Sequence, residues 1–309
     1  PEPLAKTLYD TLTDQQQHKV SCPLNEPRRL HVNNNWRVSK TFLKDDFDAD
    51  QRAMVHGIFE GIHNPDYIDR VTQQVIQDNR KQGIDACAIA MFGEPDSGKF
   101  ELVITGRHLT RRCDGDSVEG TAFGGPIFYG HAPTFHEGPE HEGNGYWFQA
   151  QRANEVVLML DGKQRETALL ENGRRERGTE TVRLTGKTDG LDGIKVADLS
   201  PDQAGHVRKV IKDILAPYRE ADVVEAMKLI EKNGFENLHL AFYRNGDIGN
   251  DSVWDVWQIE GPAALLYFRG SPHIHAWVHI KERAFDEGTP ASELKPLRRE
   301  EGKKKDKRV

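Results

Sequence analysis

The stretch Gly270-Ser271-Pro272-His273-Ile274-His275-Ala276-Trp277-Val278-His279-Ile280 reads as a β-strand entered through a Gly-Ser-Pro turn. Side chains of a strand point alternately to its two faces. One face therefore carries Ile274, Ala276, Val278 and Ile280, and the other carries His273, His275, Trp277 and His279. The apolar row marks a face turned towards a core. On the other row, two imidazoles at i and i+2 can converge on one metal ion without backbone distortion.

Three more apolar segments stand immediately upstream: Leu238 to Tyr243, Val253 to Ile259 and Ala263 to Phe268. Short turns rich in Gly, Asn or Pro separate them, the pattern of an antiparallel meander. Further upstream, Ala86 to Phe92 is a buried apolar run. Lys99 to Arg112 reads as one long strand turning at Asp114-Gly115, a hairpin signal. Helix starts are marked by four capping boxes: Thr13 to Gln16, Asp48 to Gln51, Asp161 to Gln164 and Ser200 to Gln203. In each, Gln three residues on can bond back to the N-cap amide, and an apolar residue precedes the cap. Their irregular spacing speaks for four separate helix starts rather than a structural repeat.

Behind Ser200, Val207, Val210, Ile211, Ile214 and Leu215 form one helical stripe, which Pro217 ends. Glu220 to Lys232 predicts a second helix stopping at Asn233-Gly234. Ala53 to Ile62 and Tyr67 to Asn79 predict a helical pair, and Gln149 to Leu160 another helix. Helices come in blocks and so do strands, which implies an α+β fold rather than a βαβ alternation. The expected architecture is an antiparallel meander packed with blocks of capped helices, as one large domain over residues 1–283. Glu171 to Gly190 reads as a surface loop or exposed hairpin. The polar residues 284–309 read as a solvated tail.

The 309 residues are 37% hydrophobic and 29% charged, with a net charge of −7 spread along the chain. That supports a sizeable core and argues against a nucleic-acid partner, which calls for a basic face. No run approaches the roughly 18 apolar residues of a membrane span. The three cysteines, Cys22, Cys87 and Cys113, form no CxxC pair and no disulfide framework. The chain starts Pro1-Glu2-Pro3, which suggests a processed or trimmed form.

Thirteen histidines are many for this length. Neutral imidazole is the commonest protein ligand of zinc, copper and iron, so His273 and His275 form the leading pair. A third ligand must come from another strand, and His108, on the row Leu102, Ile104, Gly106, His108, is the first choice. His131 and Glu119 follow. The likeness of His136-Glu137 and His141 to a zincin helix fails, because Gly138-Pro139 cannot continue a helix. That segment can instead carry a ligand or cover a substrate, and an exposed polar loop is the rival reading. Trp254, Trp257, Trp277, Phe128 and Tyr129 are candidate pocket walls, although most strand aromatics are core. No GxGxxG, GxSxG or P-loop pattern is present.

Gly106-Arg107-His108-Leu109-Thr110, Phe128 to Pro133, His239 to Tyr243, Trp257 to Pro262 and His273-Ile274-His275 together resemble the bacterial family catalogued as domain of unknown function 3500. Leu160 to Arg165 matches its helix element, and the resemblance spans about residues 10 to 283. Arg107 stands where the family usually has a first His of a pair, and Pro272 where it usually has Asn before His-Ile-His. Phe268-Arg269-Gly270 replaces its acidic-Asn turn. The resemblance implies one continuous domain and groups His108 with His273 and His275. It implies no activity, and it favours an exported protein over a cytoplasmic one.

The expectation is a metal-dependent enzyme of hydrolase type acting on a small molecule through His108, His273 and His275. Zinc is favoured as the divalent ion, with iron or copper as alternatives. Glu119 or Glu137 is the expected general base, with His131 beside it. The rival readings are a non-catalytic metal- or ligand-binding protein, and an interaction module with structural histidines. If the chain self-associates, a symmetric homodimer is expected.

Overall fold

The computed structural model describes residues 1–115, 117–132, 145–245, 253–270 and 272–285. The first half runs α1 (Glu2–Thr11), α2 (Asp14–Val20), β1 (Ser21–Cys22), α3 (Leu43–Asp46), α4 (Ala49–Gly61) and α5 (Ile68–Asp78), then β2 (Ala88–Glu94), β3 (Lys99–Gly106), β4 (Leu109–Cys113) and β5 (Ile127–His131). The second half runs α6 (Phe148–Met159), α7 (Gly162–Ala168), β6 (Leu169–Leu170), β7 (Ile194–Lys195), α8 (Pro201–Leu215) and α9 (Glu220–Lys232). It closes with β8 (His239–Tyr243), β9 (Val256–Glu260), β10 (Ala264–Arg269) and β11 (Ile274–Ile280).

All strands join one sheet in the order β1-β2-β3-β4-β5-β11-β10-β9-β8-β6, with β7 on β8. The sheet is antiparallel except at β1–β2 and β6–β8, which are parallel. The C-terminal meander is as expected, and its closing strand alternates as the sequence requires. Ile274, Ala276, Val278 and Ile280 face the core under the helices of the second half, and Trp277 lies in a smaller core on the other side. The helices of the first half cover Ile89, Met91, Leu102 and Ile104. Helices therefore cover one face of a continuous sheet, and irregular segments cover the other, an α+β arrangement.

All four capping boxes form. The four helix starts stand, but the boxes are linked in pairs, which corrects the reading that they belong to no repeat. Gln16 Nε2 donates to Gln51 Oε1 at 2.8 Å and to the Asp46 carbonyl, while Gln51 Nε2 donates to the Thr11 carbonyl. Gln203 Nε2 donates to Gln164 Oε1 at 2.9 Å and to the Met159 carbonyl, while Gln164 Nε2 donates to the Asp198 carbonyl. The same clasp is built twice, by boxes one and two and by boxes three and four.

The rest of each half follows suit. The short parallel strand β1 lies on β2 as β6 lies on β8, and Gly106-to-Leu109 closes β3–β4 as Gly261-to-Ala264 closes β9–β10. Asn79 and Asn233 cap α5 and α9 with the same side-chain bond to the carbonyl four residues back. The two halves meet where β5 pairs antiparallel with β11, from His131↔Ile274 to Ile127↔Val278. An antiparallel seam between like strands has a local twofold axis, so the domain is a pseudo-symmetric pair of units. The repeat escaped the spacing test because its period spans half the chain.

Two expectations are corrected. Lys99 to Arg112 is not one strand: it folds back at Arg107-His108, between the paired residues Gly106 and Leu109. His108 takes φ +54° there, a left-handed conformation that His adopts more readily than branched residues. The segment from Glu171 to Gly190 is not a free surface loop. Arg174 reaches Gln258 and Glu260, Thr181 and Val182 are buried, and Thr179 binds the backbone of Val32 from the first half. Residues 286–309 of the expected tail lie outside the described residues.

Beneath the seam, His63 is buried and neutral by design. Its Nδ1–H donates to the Phe59 carbonyl at 2.6 Å and its Nε2 accepts from Arg111 Nε at 2.9 Å. Burial, helped by the Arg111 charge, pushes this imidazole down to about 3. A depressed His contributes stability that is complete above its unfolded value near 6.5 and is lost as pH falls from there towards 3. The stability gap between the parent and His63→Gln, measured by urea unfolding, is expected to narrow by about 2 kcal/mol between pH 7 and pH 5. A pH-independent gap would refute this assignment.

Candidate functional site

His108, His273 and His275 converge on the sheet face opposite the helices. Each offers one ring nitrogen, and the three atoms lie within 4.8 Å of one another. Different parts of the chain supply them: His108 the β3–β4 turn of the first half, His273 and His275 the entry of β11 in the second. The turn is held by the Asn34 carbonyl, which accepts from His108 N at 2.8 Å. The segment carrying Asn34 is in turn fastened by Arg112, whose guanidinium donates to the carbonyls of Arg29 and His31 and pairs with buried Glu101.

Gly130 makes the convergence possible. It pairs with His275 across the seam. A Cβ there would meet the Ile274 carbonyl at 2.4 Å, His275 Cδ2 at 3.2 Å and His108 Cδ2 at 3.4 Å.

Two carboxylates orient the rings from behind. Asp78, the last residue of α5, takes His108 Nδ1 on Oδ2 at 3.0 Å and the Ala132 amide on Oδ1 at 2.9 Å. Glu176 takes His275 Nδ1 on Oε2 at 2.7 Å, and Trp277 Nε1 on Oε1 at 3.1 Å. Arg269 Nη2 also stands 2.7 Å from His275 Nδ1, and its Nε is 3.1 Å from Glu176 Oε1. A protonated Nδ1 donates to the carboxylate and cannot accept from Arg269, so we assign the guanidinium to Glu176. Both assignments leave Nε2 of His108 and His275 with a lone pair.

Burial pushes the Asp78 carboxyl up, but His108 and His131 together outweigh it and leave it well below the usual carboxylate range. Glu176 is raised by burial, with Arg269 pulling against it. Burial lowers His275 well below the ordinary imidazole value and His273 to about 3, so both are neutral at physiological pH.

His273 Nε2 and His275 Nε2 face each other at 2.9 Å. Two lone pairs at that distance repel unless one nitrogen carries a proton or a cation lies against both. Ligand nitrogens about 2.0–2.1 Å from a shared ion stand roughly 2.9–3.4 Å apart, according to coordination angle. The spacing of His273 and His275 and the carboxylate backing therefore suit ligands of a divalent ion.

The other expected residues fall elsewhere. His131 is fully buried on the helix side, with Nδ1 3.6 Å from Asp78 Oδ2, so it touches the carboxylate behind His108 rather than the cluster. Glu119 is exposed and lines a cleft with His279, four residues further along β11. It is not the cluster's neighbour, because the strand rise carries that cleft roughly 13 Å away. Glu137, His136 and His141 lie outside the described residues. Of the aromatics, Phe128 contacts the His108 and His275 rings at centroid distances of 6.3 and 5.1 Å, and Trp277 is tied to Glu176. Trp257 is core, packed on Phe268.

Asp78 and Glu176 were not anticipated. Nothing in a helix's last residue, or in an Arg- and Glu-rich run, distinguishes a buried carboxylate from a solvated one. Pseudo-symmetry shows how specific the site is. The counterparts of Asp78 and His131 in the second half are Lys232 and Glu282, which form an ordinary ion pair at 2.6 Å, and the counterpart of His108 is Ala263. The Glu176→Gln variant keeps the size but loses the charge, and is expected to weaken zinc binding 10- to 100-fold in a chelator competition. An unchanged affinity would remove Glu176 from the site.

No curated protein and no solved structure gives a significant match to the chain. The family model described as "Protein of unknown function (DUF3500)" matches residues 2–286, a span that takes in both halves and every residue of the cluster. The chain is a member of the DUF3500 family.

Proposed function

We propose that His108, His273 and His275 hold a divalent metal ion, with zinc favoured and iron or copper as alternatives. On this reading the protein is a metal-dependent enzyme of hydrolase type acting on a small molecule. The observation that carries the reading is the meeting of three imidazoles from both halves, two of them backed by buried carboxylates. A bound ion of this kind supplies a Lewis acid and lowers the pKa of a coordinated water towards neutrality. The chain's own part is to keep His273 and His275 neutral, orient His108 and His275 through Asp78 and Glu176, and keep a largely buried surround. Glu137, five residues beyond Ala132 in the sequence and outside the described residues, is the proposed proton acceptor.

A second reading is favoured by the burial of His108 and His275, which are 7% and 2% exposed. It is a closed, non-catalytic metal site completed by a fourth protein ligand. Elemental analysis of the purified chain is expected to find close to one metal per chain, removable by chelator and restored by refilling. Faster turnover of ester and phosphoester panels by refilled than by stripped protein separates the enzyme from the closed site. Protein that holds no metal and takes up none of zinc, copper, iron or manganese would end both readings.

A further inference from the structure

We propose that the groove between α8 and α9 binds a small organic anion, an acidic group on a short apolar chain, at a site apart from the histidine cluster. Lys212 of α8 and Val223, Val224, Met227, Lys228 and Glu231 of α9 line the groove. Its volume is about 360 Å³, within the range of roughly 300–1,000 Å³ usual for small-molecule sites. Val223 and Met227 are half-buried against the core under the helices and make the floor. Methionine is flexible and polarizable, so this floor can close on ligands of different outline. Val224 stands 45% exposed at the rim. The fold does not call for an apolar strip here. In the other half the counterpart helix α5, capped by Asn79 as α9 is by Asn233, exposes only Asp69, Arg70, Gln73 and Gln77. The same place in the architecture is therefore stable with a wholly polar outer face.

The charges set the sign of the ligand. Among the described residues, neither Lys212 nor Lys228 has an acidic partner. The one acid of the described lining, Glu231, is neutralised by Arg208 through contacts of 3.0 and 3.4 Å, and Arg208 is itself held over the Phe235 ring at 3.7 Å. The groove thus keeps two uncompensated cations, one from each helix, beside an apolar floor. Lysine stems lie along apolar surface while their ammonium groups stay in water. An acidic group at the rim therefore meets both charges while the chain it carries leaves water against Val223 and Met227. A neutral molecule of the same shape gains nothing from the lysines, and a cation is repelled. The strip is narrow and bounded by two helices, which suits one short chain better than a flat lipid surface.

The test is a fluorescence titration of the full chain with 8-anilinonaphthalene-1-sulfonate as probe. Saturable one-site binding is expected, displaced by decanoate and not by decanol. Charge reversal by Lys212→Glu with Lys228→Glu is expected to weaken binding at least tenfold, and so is Val224→Asp in the rim. The milder pair Lys212→Gln with Lys228→Gln serves if thermal unfolding shows that the reversal harms the fold, and is expected to weaken binding at least threefold. Leu158→Asp removes a 69% exposed apolar side chain from α6, outside the groove, and is expected to bind within twofold of the parent. Absence of saturable binding, equal displacement by decanol, or parent affinity in both lysine pairs or in Val224→Asp would overturn the proposal. So would an equal loss in Leu158→Asp. Co-sedimentation with phosphatidylglycerol vesicles that Val224→Asp abolishes would also overturn it, by giving the groove to a membrane surface.

Discussion

The double variant His273→Ala, His275→Ala is expected to purify with less than about a tenth of the parent's metal. Removing two of three ligands leaves His108 alone. A single imidazole cannot replace the roughly 10–16 kcal/mol that a complete structural zinc site supplies at neutral pH. The loss also shows as stability. An ion present at 1,000 times its Kd stabilises the native chain by about 4 kcal/mol. Saturating zinc is therefore expected to raise the parent's Tm by several degrees and leave the variant's unchanged. His275 is buried, so its truncation also opens a small void. His273→Ala alone, at a half-buried position, controls for that effect, with an expected loss of at least tenfold in zinc affinity. Equal metal in parent and double variant would show that the cluster is not where the ion sits.

Replacing Gly130 with Val is expected to damage fold and site together. The first added carbon would stand 2.4 Å from the Ile274 carbonyl, so the seam itself must move. The same carbon would press on His275 and His108, and Val adds two methyls beyond it. Overpacking of this kind costs typically 1–3 kcal/mol, and displacing rings by a few tenths of an ångström spoils ligand geometry further. A loss of at least 2 kcal/mol in urea unfolding and a tenfold fall in zinc affinity are expected. Gly130→Ala is expected to shift both in the same direction by less. Gly205 in α8 is the control. A Cβ there meets nothing within 4 Å, so Gly205→Ala is expected to stabilise by roughly 0.5–1 kcal/mol and leave metal binding alone. Wild-type metal affinity in Gly130→Val would show that the cluster tolerates displacement and is no built site.

Much of this protein is written locally. Alternation along residues 273–280 settled which side of the last strand meets the core, because the strand period leaves no other choice once Ile274, Ala276, Val278 and Ile280 must be buried. The capping boxes marked helix starts for the same reason: cap, glutamine and preceding apolar residue are neighbours in sequence as well as in space. Partners that are near in space and far in sequence were not legible. Gln16 clasps Gln51, and Gln164 clasps Gln203, but neither pair announces the other, so the duplication waited for the sheet to show two like strands meeting at one seam.

The site divides the same way. The sequence by itself determined that His273 and His275 share a face and made His108 the first choice of third ligand, and the family resemblance grouped the three. Only the tertiary structure decided how His108 arrives, through a left-handed turn residue rather than along an extended strand. It also chose the supporting cast. Asp78 and Glu176 sit behind the imidazoles, His131 lies across the sheet, and Glu119 borders a different cleft. A carboxylate's role depends on burial and on the charge it meets, and both are properties of the assembled chain.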